Sequence, residues 1–272
     1  MSALTCTSIK EVGGTTGRVG ILFSGGLDSS AIAAAAQNLG LKTYLYTGVF
    51  EDSRFAISIE RSADALGMDL KLEVVPEDSV EDALGHVIWA IESSDPLQVC
   101  VALPLNVAVK AAVRNGEDVL LSGSGADELF GGYSRYLDIL RCSGENGLRN
   151  AMFGDLLRLG EADLLRDGTI GETNRIHLFA PFLNLNLVNL ALSFPIAYRV
   201  TEPADRMRKH VLRLAAQRLG VPVEVTCLPK KAAQYSSGSL KMVRRLAKAY
   251  GLGIREYLDS IFMKVFDGLI PT

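Results

Sequence analysis

Short apolar runs alternate with longer amphipathic stretches along the first half of the chain. The runs at 19–23, 41–49, 69–75 and 119–121 have the length and apolar content of buried strands. The stretches at 29–39, 51–66, 78–91 and 103–114 read as helices, and Gly40, Gly67 and the Asn115-Gly116 pair stop three of them. Pro104 is expected in the first turn of its helix, where a missing N–H is tolerated. From Tyr133 onward the pattern changes, and 135–141, 148–159, 187–192, 209–219 and 239–250 all read as helices. The segments 143–147 and 167–171 read as flexible turns. The second is equally an ordinary surface loop or part of an active-site loop. Strands alternating with helices predict an α/β fold with a doubly wound, mainly parallel sheet. We expect that sheet over residues 1–132, with a mainly helical part over 133–272 completing the same domain.

Ligands of such sheets bind outside the carboxyl ends of the strands, and two strand ends here carry chemistry. The first strand runs into Ser24-Gly25-Gly26-Leu27-Asp28-Ser29-Ser30, followed by the helix-forming run Ala31 to Ala36. Glycines allow close backbone approach, and free N–H groups at a helix start suit an anion such as phosphate. Ser24, Ser29 and Ser30 add hydroxyl donors. The usual mononucleotide loop has a Lys after its glycines, and none stands here. Asp28 beside phosphates would repel them unless a cation such as Mg²⁺ bridges the two.

The run 119–121 leads into Ser122-Gly123-Ser124-Gly125-Ala126-Asp127-Glu128-Leu129-Phe130-Gly131-Gly132-Tyr133. Acids favour a first helical turn, which accounts for Asp127 and Glu128 but not for the glycines around them. The Asp28 loop resembles the pyrophosphate-binding loop of the N-type ATP pyrophosphatases. The second segment resembles the synthetase domain of asparagine synthetases. Three later segments are similar to that family too: Pro181-Phe182-Leu183-Asn184 to its P-F-L-D, Arg208 to Arg213 to its K-x-x-L-R helix, and Leu228 to Gly238 to its late R-x-K segment.

The resemblance runs from about Arg18 to about Leu240. It implies an adenine nucleotide alpha hydrolase-like fold, with ATP and Mg²⁺ as cofactors. Ser24, Gly25, Gly26, Leu27, Asp28, Ser29, Ser30, Ser122 and Gly123 would meet the nucleotide, and Thr47, at the end of the second strand, would flank the adenine. Asp28 and Asp127 would hold the metal. The implied catalytic set is Lys231, Lys230, Ser124 and Glu128, with Lys231 neutralising pyrophosphate and Lys230 close behind. The implied reaction adenylylates the side-chain carboxylate of aspartate, releases pyrophosphate and lets ammonia displace AMP.

Two positions depart from the family pattern. Ser124 stands where many members have Glu, and a hydroxyl has no useful pKa near neutrality for acid–base work. Asn184 stands where P-F-L-D has Asp. The alternatives are therefore a β-lactam or peptide-cyclising synthetase on another carboxylate, or a catalytically weak nucleotide-binding protein. The N-terminal cysteine of a glutaminase domain is not seen, because residue 2 is Ser2. Free ammonia, or ammonia from a separate glutaminase chain, is the expected nitrogen source.

Composition narrows the setting. The chain has 272 residues, 48% of them hydrophobic and 22% charged, enough for a sizeable core. A net charge of −3 argues against a nucleic-acid partner. Cys6, Cys100, Cys142 and Cys227 are widely spaced and are expected to be reduced, mostly buried thiols of a cytoplasmic protein. Apolar runs such as 31–36 and 99–105 are shorter than a membrane span, so no membrane partner is expected. A homodimer is compatible with all of this.

Overall fold

The structure, a computed structural model, describes residues 1–13, 17–51, 53, 55–229 and 237–267, without the side chains of 11–13. Five parallel strands are laid out in the order β3-β2-β1-β4-β5. They are β1 Arg18–Leu22, β2 Lys42–Phe50, β3 Leu70–Val75, β4 Val119–Leu121 and β5 His177–Phe179. The first four lie where the apolar runs predict. β5 was not predicted; it pairs Leu120 with Leu178 and Leu121 with Phe179, and so draws the second half of the chain into the sheet. The chain lays β2 and β3 on one side of β1, and β4 and β5 on the other. The order therefore reverses between β1 and β4, which opens a crevice at their carboxyl ends.

Helices cover both faces. One layer contains α1 Ser2–Gly13, α2 Leu27–Asn38, α3 Ala56–Leu66, α9 Leu185–Ser193 and α10 His210–Arg218. Ile32, Ala33, Ala35 and Ala36 are fully buried, so the alanine run packs α2 closely on the sheet. The other layer contains α4 Val80–Ile91, α5 Pro96–Arg114, α8 Asp163–Thr173 and the helices Ser239–Ala249 and Ile254–Phe266. Burying each large aliphatic side chain in these layers contributes about 1.5–3 kcal/mol. A smaller cluster around Tyr136, Leu148 and Met152 supports α7 Arg135–Arg158.

Several elements differ from the sequence pattern. α5 starts at Pro96, where the Asp95 side chain accepts from the N–H groups of Leu97 and Gln98 at 3.0 Å. Pro104 is therefore in the helix interior, not its first turn. It has no N–H for the Cys100 carbonyl one turn earlier, and the Ser239 hydroxyl donates there instead at 2.6 Å. With 19 residues and a mean hydropathy of 1.6, α5 is long and apolar enough to cross a membrane, unlike the shorter runs expected. Here it packs against β2 and α8 as a core helix.

Within the segment labelled α7, the two helices expected on either side of 143–147 are indeed separated, by a non-helical break at Gly144 (φ 66°, ψ −170°). The expected turn at 167–171 is regular helix inside α8. The cysteines are free, as expected, but Cys142 and Cys227 are exposed rather than buried.

Candidate active site

The loops after β1 and β4 meet at the reversal of strand order. The first crosses Ser24, Gly25 and Gly26 before α2 begins at Leu27. Gly25 has φ 70°, and a Cβ there would lie 3.0 Å from the Ile59 Cα, so both conformation and space select glycine. The Ser29 hydroxyl closes the loop from beneath, 3.3 Å from the N–H and hydroxyl of Ser24. Ser24 itself is exposed. The second loop crosses Ser122 to Gly125 and enters α6 Ala126–Phe130. Gly123 faces Asp28 across the crevice.

Asp28 and Asp127 converge on one cation, Lys209. Its Nζ lies 2.7 Å from both carboxylate oxygens of Asp28 and 2.6 Å from Asp127 Oδ1. The lysine side chain is 2% exposed, and the two carboxylates retain 17% and 18%. The pair thus opens to the crevice while its ammonium partner is sealed behind it. Charge-assisted contacts of this length are among the stronger hydrogen bonds. A Cβ at Gly132 would overlap Asp127 Oδ1 and Lys209 Cε, so the second glycine pair makes room for this contact.

The chain delivers Lys209 through an unusual turn. Arg208 (φ 49°) and Lys209 (φ 54°) are both left-handed, a conformation that costs non-glycine residues on the order of 1 kcal/mol each. Asp205 holds the turn: its carboxylate accepts from the N–H groups of Met207 and Arg208 at 3.0 and 2.9 Å, and from Thr201 at 3.0 Å. His210 Nε2 lies 2.7 Å from the same carboxylate. Burial alone would raise the Asp205 pKa, but these donors hold it down at about 2. Arg213, buried one turn into α10, donates to the carbonyls of Arg208, Met207 and Thr226. The K-x-x-L-R pattern thus supplies the cation (Lys209), a core anchor (Leu212) and a clamp on the turn (Arg213).

Beside this cluster lies a cavity of about 430 Å³ whose lining includes Ser122, Asp167, Phe179, Leu183 and Asn184. The Ser122 hydroxyl donates to Ser124 Oγ at 3.1 Å, and Ser124 donates to Asp167 Oδ2 at 3.3 Å. Arg166 grips the other oxygen of Asp167 with Nε at 2.9 Å and Nη2 at 2.7 Å. The Asn184 side chain accepts from the Asn186 N–H and caps α9.

The structure brings together Ser24, Gly25, Gly26, Asp28, Ser29, Ser122, Gly123, Ser124 and Asp127, as the sequence anticipates. Four other residues are placed differently. Leu27 is packed into the core, and Ser30 is fully buried behind the loop. Thr47 lies within β2 rather than at its end, is buried, and spends its hydroxyl on the Phe23 carbonyl. Glu128 is buried and accepts from the Tyr133 hydroxyl, and burial pushes its carboxyl pKa up. It anchors α6 instead of facing the cavity. Lys230 and Lys231 lie outside the described residues. Lys209 and Asp167 were not assigned as site residues from sequence. A signal for Lys209 was present in its K-x-x-L-R segment, whereas Asp167 was masked by the turn-like Asp-Gly that it opens.

Two glycine loops with converging carboxylates meet at the switch point of a parallel sheet, the place where α/β folds of this kind bind their ligands. The sequence profile described as asparagine synthase matches residues 8–147 and 140–261. The chain belongs to the asparagine synthase family. It is 35% identical over 295 residues to the "Putative asparagine synthetase (glutamine-hydrolyzing) 1" of Methanocaldococcus jannaschii, covering 97% of this chain and 54% of that protein. It is also 35% identical over 178 residues to human "Asparagine synthetase domain-containing protein 1", covering 64% of this chain and 26% of that protein. The chain therefore spans about half or less of the length of these relatives. Among solved structures, a predicted subunit of a tRNA methyltransferase from Methanocaldococcus jannaschii superposes with a TM-score of 0.36 at 17% identity. It covers 88% of this chain and 91% of that one. That score is too low to bear on function.

Proposed function

We propose that the chain forms an amide at the expense of ATP. It adenylylates a carboxylate, that of aspartate in the first instance, with release of pyrophosphate, and ammonia then displaces AMP. The observation that carries this reading is the convergence of Asp28 and Asp127 on one cationic point at the strand-order reversal. The two carboxylates keep 17% and 18% of their surface open to the crevice, and carboxylate oxygens next to phosphate oxygens are the ligands that Mg²⁺ prefers. When bound there, Mg²⁺ would neutralise phosphate charge next to the two acids. The chain's own residues account for the rest. Gly25 and Gly26 let the backbone approach the phosphates, and Ser24 offers an exposed hydroxyl. Lys209 supplies fixed positive charge beside the carboxylates, a preorganised arrangement for a departing polyanion. Lys230 and Lys231 are proposed to add charge from the segment outside the described residues. The adjoining cavity would seat the carboxylate acceptor beside the nucleotide site, so that positioning supplies much of the rate.

A second reading changes only the acceptor. Ser124 is bonded to Asp167, and Asn184 caps a helix, so neither supplies the family's acid at its usual place. A carboxylate other than aspartate fits that observation. One assay separates the two: pyrophosphate release with each candidate amino acid, with and without ammonium, and mass detection of the amide. Release that depends on aspartate and yields asparagine supports the first reading. Release with a different carboxylate supports the second, and release with none rejects both.

A further inference from the structure

We propose that Asp167 is the proton acceptor for the amine nucleophile, working through or beside the Ser124 hydroxyl. This rests on the amide-synthetase reading and gives it a residue that the sequence did not mark. Asp167 projects from α8 into the cavity next to Ser122 and Ser124, on the second glycine loop. Its two oxygens have different partners. Oδ1 is held by Nε and Nη2 of Arg166, while Oδ2 accepts from Ser124 at 3.3 Å. Arg166 is fixed in turn by Asp163 at 2.7 Å and Gln98 at 3.1 Å, so the carboxylate cannot swing out of the cavity without breaking that frame.

The charged and titratable groups facing Asp167 are Arg166 and Asp163 from α8; Ser124 faces it from the loop after β4. Burial raises its pKa despite the opposing pull of Arg166, with Asp163 adding to the rise. A carboxyl shifted in that direction is a better proton acceptor near neutrality than an ordinary surface aspartate.

The step balances as follows. The nitrogen lone pair of ammonia forms the N–C bond at the acyl carbon as the C–O bond to AMP breaks. AMP leaves with that electron pair. The nitrogen then carries one proton too many, and it passes to Asp167 Oδ2, directly or by transfer through Ser124 Oγ. Solvent later takes the proton from Asp167 through the open cavity.

The test uses Asp167→Asn, which keeps size and most hydrogen bonds. ATP–pyrophosphate exchange reads adenylylation alone, and amide formation with ammonium reads both halves. We expect an amide-forming kcat lower by at least about 100-fold, the usual range for loss of a general base, and a loss in exchange at least about tenfold smaller than that. The variant's rate should climb more steeply toward alkaline pH than that of wild type. Hydroxylamine, a far less basic nucleophile, should lose much less. Adding Ser124→Glu to Asp167→Asn should recover at least about tenfold of the ammonium rate by restoring a carboxylate on the other side of the same contact. Equal losses in exchange and amide formation, or an ammonium rate within about twofold of wild type, would overturn the assignment. Wild-type protein that forms no AMP from ATP with any carboxylate would instead overturn the amide-synthetase reading, and this inference with it.

Discussion

At the amino-terminal edge of β1 and β4, Arg18 closes on Glu117 through a guanidinium fork; at their carboxyl-terminal edge, Lys209 sits between Asp28 and Asp127. The first cluster is internally complementary. Arg18 Nε and Nη2 reach Glu117 Oε1 at 3.0 and 2.7 Å, the Tyr46 hydroxyl donates to the same carboxylate at 2.7 Å, and Asn115 donates to Tyr46. Burial and the neighbouring carboxylate push the Tyr46 pKa up to about 12, so its hydroxyl remains a donor across the accessible range. Among the described residues, no left-handed non-glycine residue holds this cluster. The second cluster is built at a cost. Its cation arrives on two consecutive left-handed residues, and its acids begin helices beside glycine loops. Planar guanidinium suits a closed structural pair, whereas a lysine is a point charge that can be shared among the oxygens of two carboxylates. Two ends of the same strands thus divide stability from ligand chemistry, and backbone strain marks the chemical end.

Substitutions can break that division, and the largest effect is expected at the acids. Asp28→Asn or Asp127→Asn should abolish pyrophosphate release, a loss of roughly 3 kcal/mol or more of transition-state stabilisation, in protein that still folds. Near-wild-type release from both variants would remove the carboxyl-edge cluster from the reaction. Lys209→Met should lower kcat/KM for ATP about 100-fold, the scale of one preorganised electrostatic group. It also leaves two facing carboxylates, so Mg²⁺ should raise its Tm more than that of wild type; a smaller Mg²⁺ effect in the variant would contradict the shared cation point. Lys209→Arg should not restore activity, because a planar fork does not replace the point charge.

Glu117→Gln should act in the opposite sense. It removes the buried carboxylate from the Arg18 fork, leaving the Asn115 carbonyl as an acceptor of the guanidinium, and should cost about 2–3 kcal/mol in chemical denaturation while leaving kcat near wild type. A kcat loss larger than the stability loss would blur the comparison. The smallest effect concerns pH. The folded pKa of Asp205, about 2, lies below its ordinary value, so its contribution is present above pH ~4 and is lost as pH falls toward about 2. Asp205→Asn should flatten that acid limb by on the order of 2 kcal/mol. An unchanged acid limb would separate Asp205 from the turn that it caps.

The parts of the molecule that could be read from sequence are those governed by local rules. β1 to β4 are short apolar runs, each with a glycine a few residues before it, and their ends matched the pattern to within a residue or two. The two glycine loops were legible because an acid among glycines at a strand end has few structural uses. β5 has only three residues, and its place is set by pairing with β4. Asp167 lies in a Gly-containing segment of weak helix preference, which the packing of Ile170 and Gly171 nevertheless holds in α8. Lys209 meets Asp28 across 181 residues of chain, through a turn whose geometry depends on Asp205 and Arg213. Its segment was noticed, but the charge-neutralising role was assigned to Lys231. Thr47 was assigned to the nucleotide by its place near a strand end, and one hydrogen bond across the sheet to Phe23 accounts for its hydroxyl instead.

The central claim is that the carboxyl edge of β1 and β4 cleaves ATP between its α- and β-phosphates. Phosphorus NMR of ATP turnover by the wild-type protein, with Mg²⁺, aspartate and ammonium, tests it most directly. The account predicts AMP and pyrophosphate in equal amounts, with both signals lost in Asp28→Asn. ADP and inorganic phosphate as the products would contradict it.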